Sequence, residues 1–165
     1  MNNFKLRNAE EKDIAKIGEV YCSCWKSAYK DMLPKEYLDS LTVKNCTPKS
    51  IDPVENLLLE DNGKIVGVTN FGKARKNGDK GLAEIRTLYV LEEYCNMGLG
   101  EILFNSASLS LMQRGMREVY LWVIEENKNA RNFYEKMRMH FSGETKAIDI
   151  AGREITLVKY EMRLM

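Results

Sequence analysis

Residues 82–100 read Leu82-Ala83-Glu84-Ile85-Arg86-Thr87-Leu88-Tyr89-Val90-Leu91-Glu92-Glu93-Tyr94-Cys95-Asn96-Met97-Gly98-Leu99-Gly100. The first nine residues form a strand-like run that ends in Leu88-Tyr89-Val90. The pair Gly98-x-Gly100 then opens a helix, in which Leu99, Leu103, Ala107 and Leu111 recur at helical spacing and Ile102 and Phe104 widen the stripe. The first amides of such a helix have no intrahelical acceptor, and its dipole favours an anion there. A phosphate can dock on a loop of this kind. It is not a Rossmann fingerprint, because position 103 is Leu, and it lacks the Lys-Ser/Thr of a P-loop.

Upstream, residues 56–60 and 65–71 flank Asp61-Asn62-Gly63-Lys64, a tetrad suited to closing a hairpin. Residues 4–7 read as a short strand. Asn8 and Glu11 have capping-box spacing before a long helix whose apolar face holds Ile14, Ile17, Tyr21, Cys24, Trp25 and Ala28. Between 31 and 53 the periodicity is weak, and Pro34, Pro48 and Pro53 bound short helical turns in what reads as a mobile region. Residues 73–81 form a basic, glycine-containing loop.

Downstream, residues 119–124 are a continuous apolar run, as in a central strand covered on both faces. Asn127 is placed to cap a short helix marked by Ala130, Phe133, Tyr134 and Met137. Two last strands, 140–148 and 154–164, meet at Ala151-Gly152. This order predicts a mixed sheet with helices on both faces and excludes a helical bundle or an all-β fold.

The 165 residues are enough for one domain, 1–165, with a true core. Lys plus Arg number 25 and Asp plus Glu 24, a net charge of +1, so no general attraction to nucleic acid or anionic membrane is expected. The first residues lack a signal-peptide core and the Leu57-Leu58-Leu59 run is far too short to span a bilayer, so the expected compartment is the cytoplasm. Cys22, Cys24, Cys46 and Cys95 then read as reduced thiols. Cys22-x-Cys24 is not a zinc spacing and His140 is the sole histidine, so no metal site is expected.

A second constellation, Asn127-x-x-Ala130-x-x-Phe133-Tyr134-Glu135, follows the buried strand. If strands 82–90 and 119–124 are neighbours, both loops leave the same sheet edge and can flank one ligand. With Leu88-Tyr89-Val90 and the Gly98-Leu99-Gly100 loop, this box resembles the GNAT superfamily of N-acetyltransferases. The likeness is specific over about 82–139, and element order extends it over most of the chain. Cys95, Asn96 and Met97 depart from the family's loop, and Arg138-Met139 stands where Gly-Phe often ends the second box.

The resemblance implies a mixed, mostly antiparallel sheet of six or seven strands with a splayed central parallel pair. It implies acetyl-CoA as the acetyl donor and a primary amine of a small molecule or peptide as the acceptor, attacking directly in a ternary complex; a homodimer stays open. It places the donor on the main chain of Leu88, Tyr89 and Val90, on Asn96, Met97, Gly98, Leu99, Gly100 and Glu101, and on Asn127. Glu84 is the expected general base, with Glu125 and Glu126 in reserve. Tyr134 serves the departing thiolate, and Trp25 and Tyr29 lie where the acceptor approaches. The competing reading is a non-catalytic acyl-CoA-binding regulatory module; a dinucleotide or nucleoside-triphosphate binder lacks its motif.

Overall fold

The computed structural model describes residues 1–75 and 81–165. Most of the expected basic loop, residues 76–80, therefore lies outside the described residues. The elements are β1 (Phe4–Asn8), α1 (Ile14–Ala28), α2 (Lys35–Ser40), α3 (Val43–Cys46), β2 (Asn56–Asp61), β3 (Lys64–Lys73), β4 (Leu82–Val90), α4 (Leu99–Gln113), β5 (Glu118–Ile124), α5 (Lys128–Lys136), β6 (His140–Ile150) and β7 (Arg153–Arg163). The strands form one seven-stranded sheet in the order β1-β2-β3-β4-β5-β7-β6. Every junction is antiparallel except β4–β5, which is parallel.

The β2–β3 hairpin closes through Asn62 (φ 49°) and Gly63 (φ 86°), two successive positive φ values that match the right-handed twist of the strands. Strand alternation then assigns the helices to opposite faces. Leu88 lies against Gly100 and close to Phe133, on the side of α4 and α5, and a Cβ at Gly67 would stand 3.0 Å from Leu103 of α4. Tyr89 instead meets the ring of Tyr21 on α1 edge to face.

Two apolar clusters result. One joins Ile17, Val20 and Cys24 of α1 to Leu58, Val66 and Val68; the other joins Phe104, Ala107 and Leu111 of α4 to Ile85, Val119, Leu121 and Tyr160. Each fully buried Leu among them stabilises the fold by about 1.5–3 kcal/mol. The stripe of α4 is Leu99, Leu103, Phe104, Ala107 and Leu111, whereas Ile102, expected to widen it, is 41% exposed. Residue 102 falls outside the arc of about 100° that a packed helix can bury.

The capping box also shifts. Asn8 is the last residue of β1, opposite Leu57, and its amide donates to the Pro53 carbonyl (2.6 Å), so it is unavailable as a cap. The Glu10 N–H donates to Asp13 Oδ2 (2.8 Å) instead, and a 3-10 turn, Glu11–Asp13, leads into α1. Arg7 grips Asp13 through two N–H groups (2.7 and 2.9 Å) and Glu60 of β2 (2.6 Å), fixing the start of α1 to the sheet. The Arg7 guanidinium holds the Asp13 carboxyl down at about 2.

Candidate active site

The β4–β5 pairing covers only Leu82 with Glu118, Ala83 with Val119 and Glu84 with Tyr120. Beyond these positions the two parallel strands part, and the free edge of β4 is left without a β5 partner. A β-bulge sets up the parting: β3 skips Arg86, because Phe71 faces Ile85 while Asn70 faces Thr87. An extra residue bends the strand and increases its twist. Side chains satisfy the disturbed backbone, with Thr69 Oγ1 donating to the Thr87 carbonyl (2.8 Å) and the Asn70 N–H donating to Thr87 Oγ1 (3.0 Å). The Arg86 side chain is anchored on Glu55 (2.9 Å) and on the Lys73 carbonyl (2.9 Å).

Two cavities open where the strands part. The first, about 660 Å³, is lined by Trp25, Tyr29, residues 85–90 of β4, residues 121–124 of β5 and Asn127. The second, about 820 Å³, lies along Asn96, Gly98, Leu99, Gly100 and Glu101 on one side and Phe133 and Lys136 on the other. They share Leu88, Val90, Cys95, Asn129, Ala130 and Tyr134, so a single elongated molecule can run from one into the other.

The second cavity is built from main chain. Gly98 precedes α4 at φ 79° with no side-chain cap, and the first intrahelical bond runs from the Ile102 N–H to the Gly98 carbonyl (3.1 Å). The amides of Leu99, Gly100 and Glu101 precede that bond and face the situation of any uncapped helix start. Asn96 also takes a left-handed conformation (φ 61°), which asparagine tolerates better than other side chains. A Cβ at Gly100 would stand 3.3 Å from the Phe133 ring, so glycine lets α4 approach α5. Lys136 and Glu101 form an ion pair across the cavity walls. Asn127 Oδ1 accepts from the Ala130 N–H (3.1 Å) and caps α5.

Tyr134 stands at the junction, among the rings of Phe104, Phe133 and Tyr160. Its hydroxyl makes no hydrogen bond to another of the described residues. Burial pushes its phenol well above the usual range, with a further rise from Tyr29. Side chains tie α5, which carries it, to β7: the Tyr160 hydroxyl donates to the Glu135 carboxylate (2.7 Å) and accepts from the Arg131 guanidinium (3.1 Å). On the far side of the gap, Tyr29 and Tyr89 hydroxyls stand 3.4 Å apart and Trp25 meets Tyr29 edge to face. Cys24 donates to the Val90 carbonyl (3.5 Å), and burial pushes its thiol up to about 12.

A model of the acetyltransferase (GNAT) family matches residues 14–139. The chain belongs to this family. The uncharacterized N-acetyltransferase YuaI of Bacillus subtilis is 30% identical over 126 residues, which cover 74% of this chain and 72% of that protein. Among solved structures, the PaiA N-acetyltransferase of Thermoplasma acidophilum in complex with coenzyme A has a TM-score of 0.73 at 19% identity, over 98% of this chain and 99% of its own. The structure of yncA from Salmonella typhimurium with its cofactor acetyl-CoA has a TM-score of 0.76 at 17% identity, over 99% and 95%. These two likenesses show the GNAT fold.

Within that fold most of the expected residues surround the two joined cavities. Leu88, Tyr89, Val90, Asn96, Gly98, Leu99, Gly100, Glu101, Asn127, Tyr134, Trp25 and Tyr29 all line one or both. Met97 does not; it is 45% exposed on the outer side of the loop. Glu84 also lies outside both linings, paired with Tyr120, whose phenol is raised by burial and by the Glu84 carboxylate. Glu125 and Glu126 are exposed after β5, with Glu126 near Arg153 (3.8 Å). Arg138 adopts φ 68°, and Met139 is buried in the core. Those two GNAT departures thus keep the backbone turn and the apolar plug. Sequence reading missed Thr87, Glu92 and the Tyr89 hydroxyl, because only the bulge and the fold of α1 over β4 bring them to the cleft. No helix among the described residues is long and apolar enough to cross a membrane, and none of their His, Cys, Asp and Glu side chains group to hold a metal.

Proposed function

We propose that this acetyltransferase moves the acetyl group of acetyl-CoA to a primary amine of a small molecule or peptide, by direct attack in a ternary complex. The observation that carries the reading is the parting of β4 and β5 after Glu84 and Tyr120, which joins a main-chain-lined cavity to an aromatic one at Leu88, Val90 and Tyr134. The amides of Leu99, Gly100 and Glu101, at the positive end of the α4 dipole, suit the pyrophosphate of the donor. The free edge of β4 suits the amide-bearing pantetheine arm, and Asn127 stands beside its path.

An amine attacks a thioester only as the neutral base, so most of the rate comes from holding the two reactants together in a dry gap. Main-chain N–H groups on the free edge of β4 can stabilise charge developing on the thioester oxygen. The unpartnered Tyr134 hydroxyl stays protonated throughout the working pH range, since burial raises its pKa. A thiol titrates near about 8.5, so complete proton transfer from this phenol to a thiolate runs uphill. Tyr134 therefore acts as a hydrogen-bond donor to the departing sulfur. The carboxylates lining the first cavity are the exposed Asp31 and Glu92, that of the second is Glu101, held by Lys136, and Glu84 lines neither. We assign removal of the amine proton to water in the cleft.

The test is a calorimetric titration with acetyl-CoA, wild type against Gly98→Glu, followed by amine-dependent release of CoA. Saturable binding lost in the variant, with release that needs added amine, is the expected result. Binding without release from a broad amine panel would favour the regulatory-module reading, and no binding by the folded wild type would overturn the donor site.

A further inference from the structure

A third, smaller apolar cluster stands beside the first cavity, and the protein alone does not finish it. Only Leu33, Leu38 and Ile155 are buried there, while Trp25, Tyr29, Ile124, Ile150 and Leu157 pack on them and stay half-buried. Those five side chains, with Leu33, line the cavity. Strand register makes their surface continuous. Ile124 of β5 stands opposite Leu157 of β7, and Ile155 of β7 stands opposite Ile148 of β6, so alternation puts all four on one face of the sheet. Ile148 lines the cavity as well. Apolar surface left open in a cleft is stabilised by whatever apolar group covers it.

The charges around this surface do not suit a second cation. Among the described residues the charged side chains in the lining are Lys30, Asp31, Arg86 and Glu92, two of each sign, so no acidic funnel gathers a polyamine. Arg86 is held by Glu55 (2.9 Å) and by the Lys73 carbonyl (2.9 Å). Asp31 and Glu92, the two carboxylates, are exposed, so neither is buried against the apolar wall to receive an ammonium there. A charged group carried onto that wall would lose its water without a partner, which is costly. An alkyl group on the same wall gains from every methylene it buries.

We infer that the acceptor is a primary amine whose remainder is apolar, and that this remainder completes the cluster formed by Leu33, Ile124, Ile148, Ile150, Leu157 and Trp25. The inference rests on the acetyl-transfer reading. The ammonium form of the acceptor gives one proton to solvent before it attacks. The new N–C bond then forms as the C–S bond breaks, and one further proton passes through water from the nitrogen to the CoA thiolate. Ile148 has a separate value as a specificity residue: it is 37% exposed on the last strand of the sheet, so its replacement leaves the buried core intact.

The experiment measures kcat/KM for propylamine, butylamine, pentylamine, 1,4-diaminobutane and the dipeptides Leu-Gly and Ser-Gly, with acetyl-CoA binding followed by calorimetry on wild type and variants. The three alkylamines have nearly the same basicity, so their order reads burial alone, and each added methylene should raise kcat/KM about fourfold. Pentylamine and 1,4-diaminobutane have the same chain length and differ only in a methyl group against a second ammonium. Pentylamine should win by about tenfold or more. Ile148→Glu puts a carboxylate at the wall and should cut that ratio by about tenfold, with acetyl-CoA affinity kept, whereas the uncharged Ile148→Gln should move it less. Leu-Gly turned over well above Ser-Gly supports the inference with an N-terminal residue as the source of the apolar group, and turnover of alkylamines without dipeptides supports it with a small amine. A flat or falling alkylamine series, a diamine equal to pentylamine, Ser-Gly equal to Leu-Gly, or an unmoved ratio in Ile148→Glu overturns it. So does acetyl-CoA binding with no turnover of any of the six. Failure of the folded wild type to bind acetyl-CoA sinks the acetyl-transfer reading itself and this inference with it.

Discussion

The two halves of the cleft are made of different material. The half along α4 and α5 offers main chain: an uncapped helix start, glycines at 98 and 100, and a capped second helix beginning at Asn127. The half along α1, β5 and the β6–β7 hairpin offers side chains, with Trp25, Tyr29, Tyr89 and the isoleucines of β6 brought together from distant segments. Backbone recognition tolerates changes such as Cys95, Asn96 and Met97, because amides point the same way whatever side chain they carry. Side-chain recognition has no such tolerance, so changes of partner preference should concentrate in the second half.

The largest effect should come from Gly98→Glu, which puts a carboxylate and a strained left-handed residue where an anion is to bind. Affinity for acetyl-CoA should fall about 100-fold or more, as measured by calorimetry, with a melting temperature lowered only by the strain of about 1–2 kcal/mol. Retained affinity would break the division, since the main-chain half would then not bind the donor. Tyr134→Phe sits at the junction of the halves and should lower kcat by about 100-fold or less for every acceptor, with the KM for acetyl-CoA little changed. Single-turnover rates equal to wild type would remove it from the chemistry.

A smaller effect concerns the footing of α1, which carries Trp25 and Tyr29. Asp13 is held at about 2 in the folded protein by Arg7, against 3.8 unperturbed. Its stabilisation is complete above the unfolded pKa and is lost as pH falls through the folded one. Asp13→Asn should thus cost about 1 kcal/mol after solvent screening at neutral pH, and the difference from wild type should vanish as unfolding curves are taken from pH 5 down toward 2. A pH-independent difference would mean that the charge is not what holds α1. The smallest effect is expected of Glu84→Gln, with kcat within about threefold of wild type and the pH profile unmoved; a drop near 100-fold would return the general-base role to Glu84.

The main-chain half was largely legible in the sequence, because its signals are local. A glycine before a helix and Asn127 three residues ahead of Ala130 announce themselves within a single turn. The hairpin at Asn62-Gly63 and the short helices between 31 and 53 followed from the same kind of nearby pattern, whereas the parallel pair came from the GNAT resemblance. The other half depends on pairings across long stretches of chain, such as Tyr29 with Tyr89, or Arg86 with Glu55. Glu84 shows the limit most clearly. Alternation correctly turns it away from Ile85, which is buried beside Phe104. What alternation cannot supply is the position at which two strands stop pairing, and Glu84 is the last residue before that point.

That short pairing also has a mechanical consequence. Among the described residues only three residue pairs near one end pair β4 with β5, and so the leaf β1–β4 with the leaf β5–β7, while the apolar cluster around Phe104 packs across both leaves, from Phe71 and Ile85 to Val119 and Tyr160. The sheet is in effect a book bound at the bottom of its spine. A molecule lying in the gap and bonding to both leaves acts as further stitching, so hydrogen exchange along residues 85–90 and 121–124 should slow on binding more than anywhere else.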